Sequence, residues 1–325
     1  IRKPVDFTSH DVVNRVRRIM GEKRVGHTGT LDPMATGVLP ICIGPATRLD
    51  KYMVGHDKTY RATITFGSQT NTDDAKGEVV KQAFVPTEIC EKDFALGVLQ
   101  GLVGAHMQVP PAFCAVKING QPAYKRMRAG EEVELEARQI EVYSAELVNI
   151  TEASSVDGPH DSVSWIVDLS VSKGTFIRSI ARDLGQQLGT CAHLSGLTRM
   201  SAGRISLDEC VSLESLEDLK ESAALDPVRV LGFRFAYADN RADSVSNGAA
   251  LSPDDVTLYE SLASEADDSL CACCATELVK SQTPPVDGEL ICVLVENKLK
   301  GVYRYDSRYR CWKSDCVFAV GVSRG

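Results

Sequence analysis

The chain has 325 residues and a mass of 35.3 kDa, too long for one average domain and suited to a large domain with a smaller one. A content of 43% hydrophobic and 25% charged residues excludes a disordered chain, and no apolar run approaches the roughly 20 residues of a membrane-spanning helix. The net charge of −8 conceals an asymmetry: residues 1–130 carry 18 Lys+Arg against 12 Asp+Glu, net +6, and residues 131–325 carry 18 against 32, net −14. Such a split permits a nucleic-acid face on the first part that the whole-chain charge would hide.

In chain order, Thr8 precedes Val12, Val13, Val16, Ile19 and Met20 at helical spacing. Thr8 with Asp11 predicts the N-terminal cap, and Gly21 the stop. The Gly-, Pro- and Thr-rich segment from Gly26 to Gly44 reads as a structured loop entering a buried strand at Val38-Leu39-Pro40-Ile41. Lys58 to Phe66 alternates, with Tyr60, Ala62, Ile64 and Phe66 on one side, which predicts a half-buried strand. Asn71 to Asp74 reads as a polar turn, and Glu88 to Leu102 as a helix broken by Val109-Pro110-Pro111. Lys117 to Arg128 is a basic stretch interrupted by Asn119-Gly120, and 150–162 reads as a polar loop. Ser164 to Ser172 is a second strand. Thr175 then caps a helix with Ile177, Ile180, Leu184 and Leu188 on one face and Gly189 at its end.

An acidic helix is expected over 212–225 and a domain boundary at 232–240. The tail shows an Asn247-Gly248 turn and short strands at 289–295, 299–305 and 316–322, a small β-rich domain. Without regular βαβ alternation, the fold class is α+β with a mixed, mostly antiparallel central sheet flanked by helices. Eleven scattered Cys argue against a disulfide framework. Cys271-x-x-Cys274 with Cys311 and Cys316 has the outline of a zinc site, but the second spacing is loose and no His lies nearby, so no metal is expected.

Three side chains stand out for chemistry. Asp32 sits between Gly29 and Gly37 and before Pro33, so the loop either presents its carboxylate or uses it in an ordinary Asx-turn. Arg178 falls in the first turn of its helix, where the dipole disfavours a cation, so an anion beside it is expected unless it is simply solvated. Tyr60 shares a strand face with apolar neighbours, as many core aromatics do. His27 lies between two glycine turns. Lys117, Lys125, Arg126 and Arg128 beside Tyr124 read as a solvated face or as a nucleic-acid contact.

The Gly26–Gly37 segment with Val38-Leu39-Pro40-Ile41 resembles the signature of the TruB family of pseudouridine synthases. Lys3-Pro4 with Thr8-Ser9, Lys58-Thr59-Tyr60, Ser172 to Arg178, and Ala192-His193-Leu194 through Leu197 and Arg199 resemble its further motifs in order and spacing. The resemblance covers about residues 1–232, which it implies form a catalytic domain of the pseudouridine synthase fold. Pro111 to Val142 resembles the RNA-clasping insertion of the stand-alone bacterial enzymes, placed at about 105–135. The tail, 236–325, resembles a divergent PUA-type RNA-binding domain. Phe176 stands where the family commonly has Tyr, which removes a hydroxyl; Arg2 and Asp6 also depart from the usual residues.

The resemblance implies that the enzyme isomerises uridine 55 in the T loop of tRNA to pseudouridine, without cofactor or metal. Asp32 matches the family's catalytic carboxylate, Tyr60 the residue that stacks on the target base, and Arg178 the partner of the carboxylate. His27, Phe176, Leu197 and Arg199 match residues at the flipped base or the surrounding RNA, and Lys125 and Arg126 lie in the clasp. Arg178 is expected to hold the Asp32 carboxyl about 1–3 pH units below its ordinary value. The partner implied is the tRNA T stem-loop, with no membrane and no obligatory protein partner, for a cytoplasmic monomer. A non-catalytic tRNA-binding factor would not need Asp32, Tyr60 and Arg178 together. A guide-RNA-dependent relative would not need the basic insertion.

Overall fold

A computed structural model describes residues 1–118, 120–131, 133–153, 162–262 and 278–325. Its larger sheet runs, from one edge to the other, through Arg2–Lys3, Thr36–Val38, Ala192–Ala202, Lys58–Phe66, Ser162–Val171, Arg138–Ala153 and Gly104–Gln108. Ile205–Ser206 extends it by pairing with the end of Ala192–Ala202. Every neighbouring pair is antiparallel except Thr36–Val38 with Ala192–Ala202. This is the mixed, mostly antiparallel sheet that the sequence predicts. Tyr60, Ala62, Ile64 and Phe66 are buried, while Thr59, Arg61, Thr63 and Thr65 are not, so the alternation sets the core face of the middle strand.

The first helix, Ser9–Met20, has the expected capping box between Thr8 and Asp11 and ends on Gly21 in the left-handed conformation. The helix Ile177–Gln187 packs on the two central strands, and Lys92–Leu102 packs on Arg138–Ala153. Trp165 and Phe66 meet edge-on at 4.8 Å in the core between them, and the Trp165 indole N–H donates to the Ile89 carbonyl at 2.8 Å.

Three local expectations change. Gly104–Gln108 is a strand, and the strand Arg138–Ala153 continues into the segment expected to be a loop. Cross-strand pairing with Ser162–Val171 holds its polar end in place: Glu152 sits opposite Val163, and Ala153 opposite Ser162. Thr175 is not the helix cap; its hydroxyl donates back to the Ser172 carbonyl, and Phe176 takes the capping position. The two strands flanking the insertion place residues 109–137 outside the sheet, where Lys117–Ile118 and Gln121–Pro122 form a small hairpin followed by the helix Ala123–Arg128.

The tail builds a five-stranded sheet in the order Thr257–Tyr259, Arg234–Tyr237, Leu290–Val295, Lys298–Asp306, Cys311–Val322. The last three match the predicted strands, although the last begins five residues early because polar Lys313, Ser314 and Asp315 obscure its alternation. This sheet shares a core with the larger part. Val38, Leu49, Met53, Ile205 and Leu231 pack with Phe235, Leu294, Val302 and Phe318. Asp315 accepts hydrogen bonds from the Lys51 ammonium and the Tyr52 hydroxyl across the same junction. Cys271, Cys273 and Cys274 lie outside the described residues. Cys311 and Cys316 are free thiols, and among the described residues no group of His, Cys, Asp or Glu is arranged to hold a metal ion.

Candidate active site

Asp32 stands on a loop anchored from three directions. Ser9 ties the near side, its backbone-facing hydroxyl donating to the Leu31 carbonyl at 3.1 Å and accepting from the Leu31 N–H at 2.9 Å. Lys3, fully buried, places its ammonium on the carbonyls of Pro4, Pro33 and Ala35 at 2.9, 3.2 and 2.6 Å. Burial pushes that ammonium down to about 8. Arg199 holds the far side, donating to Val38 O at 2.6 Å and Gly29 O at 3.1 Å. Gly37 closes the loop at φ +101, where an added Cβ would stand 2.2 Å from the Arg199 carbonyl oxygen. The loop is therefore a rigid mount, and the ordinary turn reading of Asp32 is insufficient.

Arg178 meets it from the helix Ile177–Gln187. Its Nε lies 2.9 Å from Asp32 Oδ2 and its Nη2 3.2 Å from Oδ1, a two-point contact. The same guanidinium donates to Thr72 O at 3.0 Å and Phe113 O at 3.1 Å, and Asp74 lies 3.7 Å away. Arg178 is 4% exposed. The cation at the unfavourable end of the helix dipole thus faces two carboxylates, as its position demands. Arg182, one turn on, repeats the pattern with Asp73 at 3.2 Å and Val109 O at 2.9 Å. The helix start is held by Gln108, which accepts from the Phe176 N–H at 2.9 Å and donates to the Phe176 carbonyl at 3.1 Å. That amide pins both backbone groups of Phe176, while no side chain caps the first-turn N–H groups of the helix among the described residues.

The electrostatics differ from expectation in one respect. Arg178 does pull the Asp32 carboxyl down, but burial contributes more and Asp74 adds to it, so the net direction is up. A third of the Asp32 side chain stays open to water, so the carboxylate is partly desolvated, and that with Asp74 outweighs the pull of one cation already shared among four acceptors.

The other expected residues fall as follows. Tyr60 is 7% exposed in the main core, opposite Leu169 and Arg199 on the flanking strands. Leu197, 9% exposed, joins the same core. Phe176 is half-buried at the head of the Arg178 helix. His27 is half-buried opposite Ile41, its Nδ1 is buried without a partner, and burial pushes its ring below the ordinary value, so it is neutral at pH 7. Lys125 is exposed on the insertion helix, and Arg126 beside it pairs with Glu131 at 2.6 Å. Arg199 is 1% exposed, with two of its nitrogens on carbonyls, so it braces the Asp32 loop. Lys3, Asp74 and Gln108 escaped the sequence reading as site residues. Lys3 looks like any terminal cation and Asp74 like a turn residue until a partner about a hundred positions away is known.

Similarity to known proteins covers Asp32, Tyr60 and Arg178. Residues 17–177 match the family described as TruB family pseudouridylate synthase (N terminal domain), and residues 178–229 match the tRNA pseudouridylate synthase B C-terminal domain. The chain is 40% identical over 258 residues to tRNA pseudouridine synthase B of Geobacillus thermodenitrificans, covering 77% of this chain and 84% of that one. It is 41% identical over 261 residues to the protein of the same name from Deinococcus radiodurans, covering 74% and 83%. Among solved structures, a chain of an H/ACA RNP bound to a substrate RNA containing 2′-deoxyuridine superposes with a TM-score of 0.65 at 20% identity, covering 98% of this chain and 83% of that one. A chain of the archaeal box H/ACA sRNP Nop10–Cbf5 complex gives 0.61 at 21% identity, covering 99% and 85%. At that identity the two structures share the fold. The sequence relatives go further, and the chain belongs to the TruB family of pseudouridylate synthases.

Proposed function

We propose that the chain isomerises uridine 55 in the T loop of tRNA to pseudouridine as a single polypeptide in the cytoplasm. The observation that carries this is the two-point Asp32–Arg178 pair on a loop immobilised by Lys3, Ser9 and Arg199. Formation of pseudouridine breaks the N1–C1′ bond and joins C5 to C1′. The C5 proton leaves to solvent and N1 gains one, so atoms and electrons balance without an oxidant, reductant or water.

The glycosidic carbon is hidden in stacked RNA, and extruding the base costs roughly a few kcal/mol. Stacking on the Tyr60 ring offsets about 1–3 kcal/mol of this. The family resemblance assigns His27, Phe176 and Leu197 to the extruded base. Asp32 brings its negative charge to the reacting nucleoside, as nucleophile or as stabiliser of positive charge at the sugar. The raised carboxyl makes the ionised form more basic, and hence a better nucleophile, than an ordinary Asp. The five-stranded tail sheet supports a PUA-like reading of residues 236–325.

The test is a T-stem-loop hairpin bearing tritium at uridine C5, given to the purified chain alone. Release of tritium to water is the expected result. Binding without release would leave only a tRNA-binding protein, and release only with added proteins would point to a guide-dependent enzyme.

The insertion is expected to add phosphate contacts. Lys125 is exposed, and the Arg126–Glu131 pair is a surface pair of about 0–1 kcal/mol that a phosphate readily replaces. Lys125→Ala and Arg126→Ala should each weaken hairpin binding and flatten the plot of log affinity against log salt by about one unit per lost contact. An unchanged slope returns these side chains to an ordinary solvated surface.

A further inference from the structure

Beside the Asp32 loop lies a small hollow lined by Thr28, Gly29, Pro40, His56, Lys58 and Arg199, among others. Its charged groups are nearly all cations. Lys58 opens the Tyr60 strand and donates to the carbonyl of His56. No carboxylate is within ion-pair distance of Lys58 or Lys173 among the described residues. Lys173 is exposed on the turn just after Val171, the residue paired with Lys58 on the neighbouring strand. On the other side Ala202 pairs with Lys58, and Gly203 leaves the space that the His56 ring fills, since a Cβ there would stand 2.3 Å from His56 Nδ1. Arg199 reaches in from the same strand. A Cβ built on Gly29 would lie 3.6 Å from Arg199 Nη1 and 3.8 Å from Lys58 Cε, so the loop backbone three residues before Asp32 rests directly on this group of cations.

Three cationic or ionisable groups from two segments, His56, Lys58 and Arg199, line the hollow next to the catalytic loop, and the exposed Lys173 adds its charge from the neighbouring turn. The carboxylate that acts on both His56 and Lys58, Asp57, accepts a hydrogen bond from the Tyr143 hydroxyl at 3.2 Å. We propose that His56, Lys58 and Lys173, backed by Arg199, form a binding site for one backbone phosphate of the RNA strand that passes the Asp32 loop. The inference rests on the function proposed above and adds to it a second grip on RNA, distinct from the insertion. A phosphate here fixes the strand within a few residues of the carboxylate, so that the uridine extruded beside it swings about a clamped point.

The titration of the cluster agrees. Burial, then Arg199 and Lys173, pushes the Lys58 ammonium down to about 8. Burial, Lys58 and Arg204 push His56 below its ordinary value, with Asp57 the one opposing charge on both. An anion resting at the mouth of the hollow favours the charged lysine, so RNA binding takes up a proton near pH 8 and weakens as the pH rises through that value.

The experiment uses the full chain and the T-stem-loop hairpin at pH 7 and pH 9 over a range of salt. Lys58→Gln should bind about three- to tenfold more weakly at low salt, with the log–log salt slope reduced by about 0.7–0.9, one phosphate contact. Lys58→Arg keeps the charge at both pH values. It should retain the wild-type slope at pH 7 and lose less affinity at pH 9 than wild type does. Lys3, which also titrates near 8, is common to all three proteins and cancels in the comparison. A Lys58→Gln protein with the wild-type slope, or a Lys58→Arg protein with the wild-type pH dependence, overturns the proposal. If the wild type converts the hairpin and the Lys58 variants bind as it does, only this site fails. If the wild type binds no hairpin, the function itself fails with it.

Discussion

Asp32→Asn is expected to lower conversion of a T-stem-loop hairpin by more than about 10⁴-fold while affinity stays within about tenfold, roughly 1.4 kcal/mol. The asparagine keeps the shape of the side chain, and Arg178 keeps its bonds to the Thr72 and Phe113 carbonyls with Asp74 at 3.7 Å. The mount of Lys3, Ser9 and Arg199 does not involve the carboxylate. The loss therefore falls on the chemical step. Comparable turnover in the variant would remove Asp32 from its assigned role. Stability supplies a second readout. Burial holds the folded-state carboxyl above its ordinary value of about 3.9, so the folded chain binds that proton more tightly than the unfolded one. The contribution is fully present below the unfolded value and is lost as pH rises through the folded one. Asparagine has no such dependence. Thermal melts should show the wild type gaining on the variant in acid and falling back toward neutrality; the reverse trend would mean that Arg178, not burial, dominates.

The parts of this molecule legible in the sequence are those governed by neighbours in the chain. The Thr8–Asp11 capping box, the Gly21 stop and the alternation through Tyr60 rest on contacts within four residues, and all appear as read. The tail strands carry the same period-two signal. What failed depended on partners across the chain. Glu152 and Thr151 are polar enough for a loop, yet Val163 and Ser164 pair with them in the sheet. Thr175 is a good local cap, but its hydroxyl turns back to the Ser172 carbonyl, and Gln108, nearly seventy residues earlier, pins the backbone of Phe176 at the helix start. The bracing of the Asp32 loop by Arg199 was likewise hidden, because the carbonyls of Gly29 and Val38 that converge on it lie more than 160 residues earlier. At the site, Arg178's need for an anion was readable from its place in the helix. Which anion it meets, 146 positions away, was reachable only through the family resemblance.

Arg178 also separates charge from geometry. Its two-point contact orients the carboxylate, and its charge opposes the effect of burial on that carboxylate. The proposed mechanism requires ionised Asp32, so the rate is expected to fall as pH drops through its pKa, with the midpoint in the wild type above the ordinary carboxylate range near 4. Arg178→Met removes the downward pull and leaves Asp74 as the nearby charge, so the midpoint moves further up. Its activity relative to wild type should be worst in acid and recover in part as pH rises. The variant also strands the Thr72 and Phe113 carbonyls and two carboxylates, a loss of about 3–5 kcal/mol, so it must be assayed well below its lowered melting temperature. Arg178→Lys keeps the charge but offers one point where the fork offers several. It should hold the midpoint near the wild-type value while the plateau rate drops about 10²-fold through misorientation alone. Single-turnover rates from pH 5 to 8 for the three proteins measure both effects. Parallel profiles for Met and wild type would show that Arg178 only braces the loops, whereas a shifted midpoint in Met and an unshifted one in Lys assigns it the electrostatic role as well.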